Sequence, residues 1–251
     1  MKNIFLISCV LLSGILSSQT FKEKLQHKKD SLEKVAKEKA NAVIHTSSTP
    51  TLTNEEVIKG LKEALTVGTN KSSEAAAKAD GYLKNPRLFI PWPPEALEMK
   101  TKLLKLGYKK KIEEFETSLN RAAEEAAKNS STVFVDAITN MSVQDGFAIL
   151  RSHDTAATNY LRKTTYTPLE DKFTPVVKEA INKVKVTGYW TPLVTVYNKL
   201  PGVKKQNPDL DKYVTNKAIN GLMILISDEE VKIRKDPAAR VSELLKKVFG
   251  S

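Results

Sequence analysis

Along the chain, apolar residues return every three or four positions from Val57 to Val248, the spacing that gives a helix one buried stripe. Val57, Ile58, Leu61 and Leu65 open the series behind Thr53-Asn54-Glu55-Glu56. That tetrad is a capping box: the threonine hydroxyl and the glutamate three residues later satisfy the free N–H groups of a helix start. Leu97, Leu103, Leu104 and Leu106 run up to Gly107, a residue suited to a helix C-terminus. Ile112, Phe115, Leu119, Ala122 and Ala126 predict another helix. Leu210, Val214, Ala218, Gly221, Leu222, Leu225 and Ile226 predict the most apolar one, buried on most sides. Val241, Leu244, Leu245 and Val248 close the series before Gly250.

Five pairs in the second half set a capping residue before proline: Thr167-Pro168, Thr174-Pro175, Thr191-Pro192, Asn207-Pro208 and Asp236-Pro237. Proline fits a first helical turn, where its missing N–H is no loss, so these pairs predict many short helices separated by tight turns. No run alternates long enough to demand a strand. The nearest, Arg87-Leu88-Phe89-Ile90, stops at Pro91-Trp92-Pro93-Pro94 and reads as an extended strap. The fold class that follows is all-α, a compact multi-helix domain over residues 53–251 without solenoid repeats.

Upstream the pattern changes. Met1-Lys2-Asn3 precedes an apolar run from Ile4 to Leu16 that ends in Ser17-Ser18, the form of a secretory signal peptide over residues 1–18. The run falls short of the roughly 20 apolar residues a membrane span needs. Leu6-Ile7-Ser8-Cys9 loosely resembles a lipobox, but the apolar run continues past the cysteine, so a lipid-anchored form is disfavoured. Residues 19–52 form a charged extension and linker. Phe21 to Ile44 mixes lysines and acids around a thin stripe of Phe21, Leu25, Leu32 and Val35, which reads as a solvated helix, a self-associating coil or a basic lipid-facing surface. The localisation expected is periplasmic or secreted after cleavage, with no transmembrane span in the mature chain.

The chain has 251 residues, one cysteine and a formal charge of +11, which becomes +10 once Lys2 leaves with the leader. A lone cysteine excludes a disulfide framework and any multi-cysteine metal site. The basic excess is 34 lysines and six arginines. Lys100, Lys102, Lys105, Lys109, Lys110 and Lys111 crowd one helix and its end, as a solvated face or as a patch for phosphate or anionic lipid. Nucleic acid is disfavoured, because no aromatics interleave with the lysines for base stacking. Arginine holds a carboxylate in a planar fork that lysine cannot copy, so the few arginines are candidates for fixed ion pairs or for a ligand cleft built from the same groups. Trp92 and Trp190 sit at two proline-rich sites, read as straps that lid the core or as aromatic contacts for a partner.

Chemistry-bearing motifs are sparse. His27 and His45 fall in the extension, and His153 lies in Arg151-Ser152-His153-Asp154, read as a turn with Ser152 or Asp154 capping the next helix. There is no G-x-S-x-G elbow, no H-E-x-x-H, no complete calcium loop and no phosphate-binding glycine loop. Neither a metal nor another cofactor is expected.

Several ordered motifs together resemble the bacterial domain-of-unknown-function family 4197. They are Asn120-Arg121-Ala122-Ala123-Glu124, Met141-Ser142-Val143-Gln144-Asp145, Ala156-Ala157-Thr158-Asn159-Tyr160-Leu161-Arg162, Tyr213-Val214-Thr215-Asn216-Lys217-Ala218, and Glu229-Glu230 with Ile233-Arg234-Lys235-Asp236-Pro237. The resemblance implies an exported helical envelope protein without an assigned activity, and it supplies no catalytic residues. Against the family's pattern, Ser227 stands where alanine is usual, which lets Ser227-Asp228-Glu229-Glu230 start a new helix rather than continue the old one, and Gly146 in place of alanine after Asp145 loosens that helix start. It groups Arg121, Asp145, Tyr160, Arg162, Tyr213, Lys217, Glu230 and Arg234 as one spatial cluster, the candidate binding site. The preferred function is a non-catalytic binding or scaffold protein whose partner is an envelope protein, a glycan or anionic lipid. The rival is a hydrolase or transferase that uses a carboxylate of the Arg/Asp/Glu/Tyr cluster as acid or base.

Overall fold

Thr53 caps the first helix as its sequence predicts: its hydroxyl accepts from the Glu56 N–H while the Glu56 carboxylate accepts from the Thr53 N–H. The computed structural model describes residues 52–206 and 209–250, all within one compact unit; the expected leader, the expected charged extension up to residue 51, His27, His45 and Asn207-Pro208 lie outside the described residues. The first helix, α1, is Asn54–Ala77, and a turn-rich strap leads through a 3-10 turn at Pro94–Ala96 to α2, Leu97–Lys105. Then come α3 (Lys109–Ala127), α4 (Ser130–Asn140), α5 (Gly146–Leu150) and α6 (Ala156–Val184). The chain ends with α7 (Val186–Asn198), α8 (Leu210–Lys235), a 3-10 turn at Pro237–Ala239 and α9 (Glu243–Phe249). No strand occurs among the described residues, so the fold is all-α.

The central layer is α8, packed between α1 and α6, with α3 set against α6, α7 and α8. Val214, Ala218, Leu222 and Ile226 of α8 are buried, as are Leu61 and Leu65 of α1, Phe115 and Leu119 of α3, and Leu161, Leu169 and Phe173 of α6. Each of these side chains except the single methyl of Ala218 contributes about 1.5–3 kcal/mol of apolar transfer free energy. Trp92, Phe115 and Trp190 form a triangle of rings with centroids 4.6–5.5 Å apart.

The cap-proline pairs divide. Asp236-Pro237 does start a turn, with Asp236 Oδ1 accepting from the Ala238 N–H. Pro168 and Pro175 instead lie inside the 29-residue α6, and Pro192 inside α7, so the expected short helices are replaced by long ones. All three prolines sit on exposed faces, where a carbonyl left without an N–H can turn to solvent. The break between α6 and α7 falls at Lys185, whose φ of 59° puts it in the left-handed region. Likewise Ser227–Glu230 begins no new helix, because α8 continues through it. Trp190 is a residue of α7 rather than of a strap, whereas Trp92 does lie in the strap, buried against the core.

Asparagines fasten the connections. Asn120 Oδ1 accepts from the Ile90 N–H at 2.8 Å and its Nδ2 donates to the Ile90 carbonyl at 3.0 Å. Asn54 does the same for the α4–α5 connection, donating to the Gln144 carbonyl and accepting from the Gly146 N–H. Asn198 grips Gln206 in the same two-way fashion. A carboxamide sets an N–H donor beside a carbonyl acceptor, so it pairs with extended backbone as a neighbouring strand would, and the second N–H of Asn120 donates to the Glu116 carbonyl.

Candidate functional site

On α3, Arg121 donates to Glu124 at 2.6 Å and to Asp80 of the strap at 2.8 Å. The other Glu124 oxygen accepts from the N–H groups of Tyr82 and Leu83, both at 3.1 Å. The Arg121 guanidinium, after Lys84, holds the Asp80 carboxyl below its usual range. Burial, and secondarily the Glu124 charge, pushes the Tyr82 phenol well up, and its hydroxyl donates to the Ala218 carbonyl at 2.8 Å. Asp80, 41 residues from Arg121, leaves no spacing signal that could have found it.

A second ion pair, buried on both sides, joins α8 to the start of α6. Glu230 accepts from the N–H groups of Ala157 at 3.0 Å and Thr158 at 2.7 Å and from the Thr158 hydroxyl at 2.6 Å. Arg234 meets the same carboxylate at 2.8–2.9 Å and also donates to the Leu150 and Ile149 carbonyls. Thr155 stands at the N-cap position of α6, but its hydroxyl accepts from the Asn159 side chain and caps no helix N–H, so Glu230 supplies the cap from another helix. This corrects the expectation that Ser152 or Asp154 caps that helix. His153 lies in the exposed turn before it.

Along α6 and α8, Arg162 donates to Asn220 and the Tyr166 hydroxyl to Asn216. Tyr213 reaches the Pro91 carbonyl at 2.8 Å, with the Lys217 ammonium 5.8 Å from its ring centre. Partial burial, and then the Glu95 charge, pushes the Tyr213 phenol up to about 12. The eight candidates thus bond in separate groups: Arg121 with Asp80 and Glu124, Glu230 with Arg234, Arg162 with Asn220, and Tyr213 with Lys217. Asp145 and Tyr160 belong to none of these; Asp145 caps α5 through the Ala148 N–H, and the Tyr160 hydroxyl donates to the Ser142 carbonyl. No network of hydrogen bonds unites the eight.

Two open grooves flank Tyr160. One, about 510 Å³, runs between α4 and α6 past Asn140, Gln144, Thr164 and an Asp136–Lys172 pair 3.7 Å apart. The other, about 500 Å³, runs between α5 and α6 past Asp145, Ser152, His153, Asn159 and Lys163. Gln144 and Tyr160 line both, so the grooves meet at that rib. None of Arg121, Glu124, Glu230 and Arg234 lines either groove. Asn140, Gln144, Asn159 and Lys163 were absent from the expected site, since isolated polar residues on exposed helix faces carry no sequence signal. Among the described residues no cluster of three His, Cys, Asp or Glu is placed to hold a metal, and no helix is long and apolar enough to cross a membrane.

Fold and site together define an all-α domain tied internally by arginine–carboxylate pairs, with two open grooves of mixed polar and apolar lining outside them. The chain belongs to the protein family of unknown function DUF4197, whose sequence model matches residues 51–250. No curated protein and no solved structure matches it.

Proposed function

We propose that the chain is an exported, non-catalytic binding protein of the bacterial envelope that takes a hydroxyl-rich glycan in the grooves meeting at Tyr160. The observation that carries this reading is the division of polar groups. The buried carboxylates Glu124 and Glu230 are each engaged by an arginine and two backbone N–H groups, which leaves them committed to the fold. What faces the grooves is instead a set of amides and hydroxyls around one aromatic ring, beside the paired Asp136 and Lys172, the helix-capping Asp145, His153 and Lys163, and the apolar Met141, Pro168 and Ile149. Amides and hydroxyls match sugar hydroxyls donor for acceptor, and a tyrosine face covers the apolar side of a pyranose. Export is supported by the leader-like residues 1–18.

The test is titration of residues 52–251 with soluble oligosaccharides released from bacterial envelopes, followed by amide chemical shifts. Shifts confined to 136–172 that vanish in Tyr160→Ala and weaken in the exposed Asn159→Ala support the reading. No shift at millimolar oligosaccharide, or shifts unaffected by both changes, overturns it. Cell fractionation and intact mass of the full chain test export; retention in the cytoplasm with Met1 to Ser18 still attached would refute that half.

A further inference from the structure

We infer that the corner between α2 and α3 docks on an anionic phospholipid surface. The helix α2 buries Met99 and Leu103 against the domain and turns Leu97 and Leu104, two turns apart on its opposite side, to solvent at 51% and 44% exposure. Leu106 follows at 50% in the turn that Gly107 makes possible with a φ of 84°. These are three of the five large hydrophobics most exposed on the described surface, and they fall within ten residues of one another. An exposed leucine alone is ordinary; three gathered at a helix end and its turn form a wedge.

The charge around the wedge selects the occupant. Residues 97–111 hold six lysines against the single acid Glu98. Lys102 is paired with Glu98, Lys100 with Glu116, and Lys109 reaches Glu113 at a loose 3.8 Å. Lys105, Lys110 and Lys111 are exposed and make no ion pair among the described residues. A second copy of this chain would bring the same lysines face to face, whereas lipid phosphates offer the opposite charge just above an apolar layer that accepts leucine. Tyr108, half-buried in the same turn beneath the Lys111 ammonium, has the amphipathic ring that favours the headgroup level. The surface is separate from the Tyr160 grooves, so glycan binding and lipid docking succeed or fail independently.

The test is flotation of residues 52–251 with phosphatidylglycerol–phosphatidylcholine vesicles and with pure phosphatidylcholine vesicles. Binding is expected only to the anionic vesicles and to fall with added salt. Lys105→Gln/Lys110→Gln/Lys111→Gln should weaken it about a hundredfold, from the attraction each basic residue feels near such a surface. Leu104→Ser/Leu106→Ser should weaken it about tenfold or more through lost apolar burial. Both sets change solvent-exposed residues, and an unchanged urea midpoint shows that the fold survives. The exposed lysines Lys178, Lys204 and Lys205, changed together to glutamine, remove the same charge elsewhere and should leave binding within about twofold. Failure of the unaltered domain to float overturns the proposal, as does equal weakening by the two lysine triples or indifference to the leucine changes. Self-association that Leu104→Ser/Leu106→Ser abolishes, without flotation, would assign the wedge to a second copy instead.

Discussion

Glu230 on α8 holds the N-terminus of α6 through Thr158, accepting from its N–H at 2.7 Å and its hydroxyl at 2.6 Å. The carboxylate is therefore a helix cap delivered across the core, and Arg234 balances its charge where the side chains are 1% and 8% exposed. Glu230→Gln leaves Arg234 buried without its partner and should destabilise the domain by about 3 kcal/mol, the cost of breaking a buried pair from one side. Arg234→Met should cost less, because the helix N–H groups still stabilise the remaining carboxylate. Urea unfolding midpoints of the two variants give the order; a larger loss for Arg234→Met would refute the cap as the source of the stability.

The titratable groups predict a stability that declines at both ends of the pH range. Lys247 holds Glu56 below the ordinary 4.5, Lys128 with Lys183 does so for Glu125, and Lys235 holds Asp154 below the ordinary 3.8, as Lys84 with Arg121 does for Asp80. A depressed folded-state pKa gives stability that is present above the unfolded value and is lost as pH falls through the folded one. The acid loss should thus begin near pH 4.5 and continue below 3.8. Tyr82 and Tyr213 are raised above 10.0, and Lys102 and Lys183 above 10.5, so their contributions are full below those values and fade at higher pH. Urea midpoints measured across the range should show a plateau with two falling limbs. A midpoint constant down to pH 3 would contradict the acid limb.

Asn120 is fully buried and carries both polar groups of Ile90, so its removal orphans two backbone atoms at once. Asn120→Leu, which keeps the branched shape and leaves no void, should cost about 2–4 kcal/mol through those unsatisfied groups rather than through a cavity. Hydrogen exchange distinguishes the causes. The Ile90 amide should lose its protection beyond any change in global stability, and an Ile90 amide that stays as protected as its neighbours would show that the clasp is dispensable.

How much of this was readable in the sequence depends on the range of each interaction. The Thr53 box, the α3 stripe and the end of α2 at Gly107 are local, and their residues announce them. Thr167-Pro168 and Thr174-Pro175 misled because the same dipeptide suits a helix start and an exposed helix interior, and only tertiary packing decides between them. Arg121 with Glu124 and Glu230 with Arg234 follow from helical spacing, while Asp80, Thr158 and Asn220 meet their partners across 41 to 72 residues and leave no periodic trace. Helical spacing therefore groups the candidate residues as one while their bonds divide them among several, and the groove at Tyr160 exists only where α4, α5 and α6 meet.

Gly221 and Tyr82 show the same long-range dependence in a form that a single methyl group tests. A Cβ on Gly221 would stand 2.8 Å from Tyr82 Cε1 and 3.0 Å from its hydroxyl oxygen. Tyr82 is fully buried and donates to the Ala218 carbonyl one turn earlier on α8, so the ring has no open space to retreat into. In an exposed helix interior, glycine to alanine gains about 1 kcal/mol of helix propensity. Here the clash should outweigh that gain, and Gly221→Ala should destabilise by about 1–3 kcal/mol. Tyr82→Leu removes the obstructing ring along with its hydrogen bond and should itself be costly. In that background the added alanine methyl should be neutral or stabilising, giving a double-mutant coupling of about 1–3 kcal/mol. Urea unfolding of the four proteins measures it, and strictly additive effects would mean that Gly221 does not seat the ring.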